Sequence, residues 1–340
     1  MSEENIVSKT TEFAPIIITT LCRYEHFVRC IESLKNNSLA GHTDLYVGLD
    51  YPFKEAHWDG YKKISAYLDD LTGFNSVNVI KHGSNLGSYA NYHVILDIVL
   101  NKYDRYIFTE DDNEFSSCFL EYINKAMIQY ENDEDVIAIS GYNYPVDMSD
   151  IEGNAYSMDT YFSAYGYGTW KSRKEKCEQA CNYDQFRSYF LNNKKMRELY
   201  HRSPNQFCNF VKGMIGYIPW MRDGKKIKTI DLSFGLYLFF ENKRMIFPTI
   251  SKSRNWGFDG TGEHCDISLD KNIKEDHRNY DFSSQEIDEN DFNDIRIIDP
   301  KYAGIIDSRL NDFFTTTLKE RILSIIAYNV FYIYFKFFAK

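Results

Sequence analysis

The chain reads as an α/β fold on a mostly parallel sheet flanked by helices, and three observations predict it. Short β-branched or aromatic runs alternate with amphipathic stretches from Pro15 onward. An acidic cluster closes the fourth such run, at the carboxyl strand end where open α/β sheets place their ligands. The 340 residues are 44% hydrophobic and 16% aromatic with only 7 Pro. That length suffices for one large domain or two modest ones, burying about three quarters of the unfolded surface, and the composition excludes disorder for the bulk.

Pro15 to Leu21, PIIITTL, predicts the first strand; Phe27, Val28, Ile31 and Leu34 then repeat at helical spacing. Asp44 to Asp50 predicts the second strand, followed by a helix carrying Tyr61, Ile64, Tyr67, Leu68 and Leu71. Ser76 to Lys81 predicts the third, with a helix ending near Leu100, and Arg105 to Glu110 the fourth, running directly into Glu110, Asp111 and Asp112. Near Ser149 to Asn154 the alternation weakens. Residues 151–270 mix aromatic segments with helices over Asp184 to Tyr200 and Asp231 to Asn242, and read as a second lobe built onto the same sheet. Lys271 to Asp294 is acidic and polar and reads as a solvated connection. The expected organisation is a flexible N-terminus (1–14), a first half (15–150), a second half (151–270), and an acidic connection with a C-terminal helical tail (271–340).

Leu310 to Lys340 is apolar and aromatic with interspersed Lys and Arg. Its longest apolar tract, Ile322 to Phe335, is shorter than the ~20 residues that span hydrocarbon. Two readings stay open for it: a core or dimer helix, or a helix lying at a membrane surface.

The formal net charge of −10 repels a phosphate backbone and argues against nucleic acid as the main partner. The N-terminus, MSEENIVSKTTEF, lacks the basic start and apolar run of a secretory signal, so export is not expected. Seven scattered Cys suggest reduced thiols and a cytoplasmic setting. Cys177 and Cys181 share a helical face and read as small buried hydrophobes rather than a metal pair. Two phosphate-binding signatures are missing: no GxxxxGK[ST] occurs, and TTLCRYEHF stands where a glycine turn would follow the first strand. An acidic strand end offers another route, in which carboxylates hold a hard divalent cation and the cation holds a diphosphate.

Further segments follow in order. Cys22 and Arg23 stand in TTLCRYEHFVRCIESL, Asp50 ends YVGLD, Asn85 and Gly87 lie in HGSNLGSYANY, and Glu110, Asp111 and Asp112 form a DxD-type cluster. SAYGYGTW (Tyr165, Gly166, Tyr167, Gly168, Thr169, Trp170) and FPTISKSRNWGFDGTGEHC complete the series. This order resembles the inverting GT-A glycosyltransferases, both the large bacterial family 2 and the family 13 enzymes that add N-acetylglucosamine to mannose. The resemblance covers roughly Pro15 to Asp266 and rests on order and spacing rather than on one motif.

It implies a GT-A-like, Rossmann-like sheet with a nucleotide-sugar-binding half (15–150), an acceptor-binding half (151–270) and a metal-dependent transfer with inversion. The donor implied is a nucleoside diphosphate sugar, expected to be a UDP-sugar, bound by Cys22, Arg23, Asp50, Asn85, Gly87, Glu110 and Asp111. Asp112, with His264 as a further candidate, would hold Mn²⁺ or Mg²⁺. Asp50 would accept from the uracil N–H, and Arg23 would fork onto phosphate or stack on a base. Asp231 corresponds in order to the catalytic base, although an Asp before an apolar run is also a helix N-cap; Asp259 and Glu263 are reserves. Tyr165, Tyr167, Trp170, Trp220 and Trp256 are candidate stacking floors for sugar rings.

The acceptor is expected to be a glycan, lipid-linked if the C-terminal tail meets the inner face of the cytoplasmic membrane, in bacterial surface-polysaccharide synthesis. Competing readings are a sugar-phosphate nucleotidyltransferase, which normally wants a glycine-rich basic loop absent here, and a non-catalytic carbohydrate-binding scaffold.

Overall fold

The computed structural model describes residues 13–223, 230–261, 280–288, 290 and 294–338. The expectations for His264, for Glu263 and for residues 1–12 lie outside them. The first four predicted strands form as β1 (Ile16–Thr20), β2 (Asp44–Leu49), β3 (Ser76–Lys81) and β4 (Arg105–Glu110). Between them run α1 (Tyr24–Lys35), α2 (Trp58–Asp69) and α3 (Ser88–Leu100). After β4 come a short β5 (Asn113–Phe115), α4 (Phe119–Gln129) and β6 (Val136–Ser140).

The second half contributes β7 (Ala155–Met158), β8 (Tyr167–Trp170), α5 (Lys171–Ala180), α6 (Tyr183–Leu191), α7 (Asn193–Arg202), α8 (Pro204–Arg222), α9 (Ile230–Phe240), β9 (Arg244–Pro248) and β10 (Ser253–Asn255). The chain then adds α10 (Ala303–Phe313) and α11 (Leu318–Phe337). The single helix expected over Asp184 to Tyr200 is two. It breaks at Asn192, whose side chain accepts from the Lys195 amide at 3.1 Å and so starts α7.

Eight strands form one sheet in the order β3-β2-β1-β4-β8-β6-β9-β7, with β5 and β10 paired separately. Strands β1 to β4 are mutually parallel, while β8 and β7 run antiparallel to their neighbours. Thus β7, β8 and β9, from the second half, extend the sheet begun by the first. The two faces follow the period-2 alternation of strands. In β1, Ile16 and Ile18 join a cluster with Phe27, Ile31 and Leu34 of α1, whereas Ile17 joins the opposite one with Tyr92 and Ile95 of α3. A third cluster holds α6, α7, α8, α9 and α11 together through Phe190, Met196, Phe207, Phe239 and Phe335.

Part of the stretch expected to be a solvated connection is docked. Phe282 is buried and stacks on Phe258 with ring centroids 4.4 Å apart, Gln285 donates to the Asn143 carbonyl at 2.6 Å, and Asp288 pairs with buried Lys252. The acidic composition hid these anchors because the intervening residues remain solvated. If Phe282 fills the core as described, Phe282→Ala lowers unfolding free energy in urea by about 3 kcal/mol; a loss below about 0.5 kcal/mol, the size of a surface change, would mean the segment is solvated after all.

Candidate active site

The parallel strands bring their carboxyl ends to one edge, where β4 delivers Glu110, Asp111 and Asp112 beside the end of β1. Thr19 of β1 pairs with Glu110 in register, and the Thr20 hydroxyl donates to Asp111 Oδ2 at 2.6 Å. Arg23, in the turn after β1, donates from Nη2 to Asp111 Oδ1 and to Asp112 Oδ2, the latter at 2.9 Å. The second half closes the other side. Pairing of β5 with β10 puts Asn255 opposite Asn113, where its side-chain amide donates to Asp112 Oδ1 at 2.9 Å and the Trp256 amide donates to the Asp112 carbonyl at 2.8 Å. A Cβ at Gly257 would lie 2.2 Å from Asp112 Oδ2, so only glycine lets the backbone pass this close. Asp111 and Asp112 are therefore buried and turned inward, held by residues from both halves.

Charge in this recess is unbalanced. Burial pushes the Asp111 carboxyl up, and Arg23 offsets only part of that. Burial also works against the charged Arg23, but Asp111 and Asp112 outweigh it and hold the guanidinium protonated. Glu110, the last residue of β4, is exposed to solvent yet crowded by protein. That burial, then repulsion from Asp112, Asp231 and Asp111, raises its carboxyl to about 8. Asp231, in the first turn of α9, is likewise solvent-accessible but enclosed, and burial raises it to about 6. It lies within the helix rather than preceding it. Neither Glu110 nor Asp231 has a side-chain hydrogen-bond partner among the described residues, and the buried Nη1 of Arg23 also has none. An orphaned cationic donor of this kind is costly unless an acceptor arrives.

Asp50 requires a correction. It is buried, and its four acceptor positions are filled: Oδ1 by the amides of Tyr51 (2.8 Å) and Leu86 (2.9 Å), Oδ2 by the amide of Gly87 (2.8 Å) and the Asn85 side chain (3.1 Å). A carboxylate so saturated has no lone pair left for a uracil N–H. Asp50 instead anchors the 85–87 turn, where Gly87 at φ +77° opens α3 in a conformation that favours glycine. Asn85 also donates to the Tyr51 carbonyl at 2.8 Å, so both turn residues act on the chain itself. Cys22 borders Arg23, and burial and Asp111 push its thiol up; its carbonyl packs where a Cβ on Gly60 would lie only 1.8 Å away.

Two of the five aromatic candidates are core residues. Tyr167 is fully buried against Phe108 and Phe162, and Trp170 lies buried beneath the Arg173 guanidinium, 3.3 Å from its ring centre. Trp256 is fixed under Arg29 at 4.0 Å and donates to Glu114 at 2.8 Å, and Trp220 lies exposed on α8. Tyr165 is acted on by three of the acids: its hydroxyl is held protonated by burial, then by Asp231, Glu110, Tyr144 and Asp112. Asp259 is tied to Thr261 and to His26 at 3.1 Å; burial raises it, but these contacts more than offset that and leave it below the usual carboxylate range, unsuited to a base.

A cavity of about 620 Å³ opens beside this edge between α3, α5 and α9, lined among others by Tyr89, Tyr92, His93, Lys174, Ser233 and Phe234. Ile230 and Ser233, on either side of Asp231 in sequence, are part of its wall. Thr20, Asn255 and Gly257 were not singled out in the sequence. Asn255 lies 143 positions from Asp112, and no local signal announces a contact formed by strand pairing.

No protein-family model and no curated protein matches the chain. Among solved structures, 49% of the chain is similar to 30% of S. aureus TarS at 11% identity and a TM-score of 0.35. TarS 1-349 aligns with 49% of this chain and 49% of its own at 12% identity and 0.35, and TarS 1-349 in complex with UDP with 42% and 40% at 13% identity and 0.31. The chain thus spans less than half the length of these structures, and a likeness of that size carries no functional argument.

The crowding of Glu110 makes a thermodynamic prediction. Its folded-state carboxyl, about 8 against an ordinary 4.5, disfavours the charged form, so the cost is full above pH 8 and vanishes below 4.5. Thermal melts of Glu110→Gln should show a higher Tm than wild type above pH 8 and convergence below pH 4.5; a lower Tm at alkaline pH would mean that the carboxylate is stabilised by a partner.

Proposed function

We propose that this recess transfers a sugar from a nucleoside diphosphate donor, taken as a UDP-sugar from the sequence resemblance, to a glycan hydroxyl with inversion. One observation carries the reading: at the carboxyl edge of the sheet the Arg23 guanidinium bridges Asp111 and Asp112 and keeps a vacant buried donor, Nη1, while Glu110 beside them is repelled by Asp112, Asp231 and Asp111. Arg23 suits a diphosphate, because its planar fork can donate to phosphate oxygen while Nη2 stays on the acids. Glu110 and Asp112 fit a hard divalent cation, Mn²⁺ or Mg²⁺, since the site offers oxygen donors carrying more negative charge than Arg23 offsets. Such an ion supplies charge stabilisation to a departing diphosphate. Among the described residues no three ligating groups converge, and His264 lies outside them.

Asp231 is the proposed base. It has no partner among the described residues, and a carboxyl raised to about 6 takes a hydroxyl proton more readily than an ordinary aspartate while staying ionised at neutral pH. Tyr165 borders the same space and is the remaining aromatic candidate to face a sugar ring. The proposed setting is the cytoplasm, in bacterial surface-polysaccharide synthesis; among the described residues no helix is long and apolar enough to cross a membrane.

A donor-hydrolysis screen over UDP-, GDP- and dTDP-sugars, with and without Mn²⁺, tests the reading. UDP-sugar turnover should fall roughly a hundredfold or more in Asp112→Ala. Asp231→Asn should retain nucleotide affinity but lose transfer, and wild-type transfer should rise with pH through about 6 as Asp231 ionises. Normal transfer by Asp231→Asn removes it as the base, and tight nucleotide binding without turnover favours the scaffold reading.

A further inference from the structure

Helix α11 is apolar on two opposite faces. One face is spent: Tyr328 and Phe335 are buried against α6 and α8, with Phe331 and Tyr332 packed beside them. The opposite face carries Leu318, Ile322, Ile326, Val330, Ile333 and Phe337, spaced three or four residues apart and each 48–73% exposed. Ten of the eighteen exposed large hydrophobic side chains among the described residues fall between Leu318 and Phe338. A helix apolar all round is stable only when both faces are covered, and a stripe of this length, about 28 Å at 1.5 Å per residue, exceeds the scattered exposure of ordinary surfaces.

Charge selects what covers it. Between positions 318 and 340 four basic residues, Lys319, Arg321, Lys336 and Lys340, stand against one acid, Glu320, in a chain whose net charge is −10. Lys319 and Lys336 are exposed near the two ends of the stripe. Glu320 is engaged in the capping box with Thr317. A second copy laid face to face would therefore set lysine against lysine in either direction. A flat anionic surface satisfies both the stripe and its lysines.

We propose that α11 docks the protein on an anionic lipid bilayer, lying in the interface with the stripe in the acyl boundary and Lys319 and Lys336 at the headgroups. The surface is independent of the transferase reading, so either can fail alone. The two are physically linked, however: α11 packs on α8, and α8 on α9, which carries Asp231.

The test is co-sedimentation of the full chain with phosphatidylcholine vesicles, with and without phosphatidylglycerol, beside Ile326→Glu/Ile333→Glu and Lys319→Glu/Lys336→Glu. Both variants change exposed positions, and matching circular dichroism and melting would show that they fold. Wild type should bind the phosphatidylglycerol vesicles and release in high salt. Each double variant should partition about tenfold less or weaker still. Failure of wild type to bind anionic vesicles, or undiminished binding by Ile326→Glu/Ile333→Glu, overturns the proposal. So does a dimer in sedimentation velocity that the same substitutions dissolve, because the stripe would then be covered by a second copy.

Discussion

Arg23 bridges Asp111 and Asp112, and the arrangement of the sheet edge depends on that bridge. Two inward-facing carboxylates beside a third acid would repel strongly in a buried recess without a cation between them. Removing one partner of such a pair strands the other's charge, a penalty of about 3–5 kcal/mol. The bridge does not neutralise the site. Glu110 and Asp231 remain unpaired among the described residues, and Arg23 keeps an unused donor. The recess is thus electrostatically incomplete in a way that suits a ligand bearing both acceptor oxygens and a compensating cation.

The fold produces this incompleteness by convergence of distant segments. Parallel β1 and β4 align the Arg23 turn with the acids, and the antiparallel pairing of β5 with β10 returns the chain from the second half to hold Asp112 from the other side. Asp50 does comparable work one strand over. By collecting three backbone amides and the Asn85 side chain it fixes the turn that opens α3, which in turn forms one wall of the neighbouring cavity. Groups that look alike in sequence, acids at strand ends, therefore split into two kinds. Asp50 is saturated and structural, while Glu110 and Asp231 are unsatisfied and available.

Much of this was legible beforehand where the signal is local. Strand runs such as Ser76–Lys81 and Arg105–Glu110 carry their periodicity in consecutive residues, and EDD directly after an apolar run marks a strand end. What depends on partners was not legible. Asp50 could not be told from a base-binding acid without its four donors. Tyr167 and Trp170 could not be separated from Tyr165 before the sheet buried them, and Asn255 had no reason to be noticed until strand pairing placed it on Asp112. Phe282 and Gln285 were masked by the acidic residues around them, because composition averages over the few side chains that turn inward.

The proposed grip for a diphosphate is Arg23, held on two carboxylates with one donor spare. Calorimetric titration of UDP into wild type and into Arg23→Gln, each with and without Mn²⁺, measures it most directly. Wild type should bind more tightly with Mn²⁺, and Arg23→Gln should bind at least about tenfold more weakly. Equal affinity in the two proteins, or no UDP binding by wild type under either condition, would contradict it.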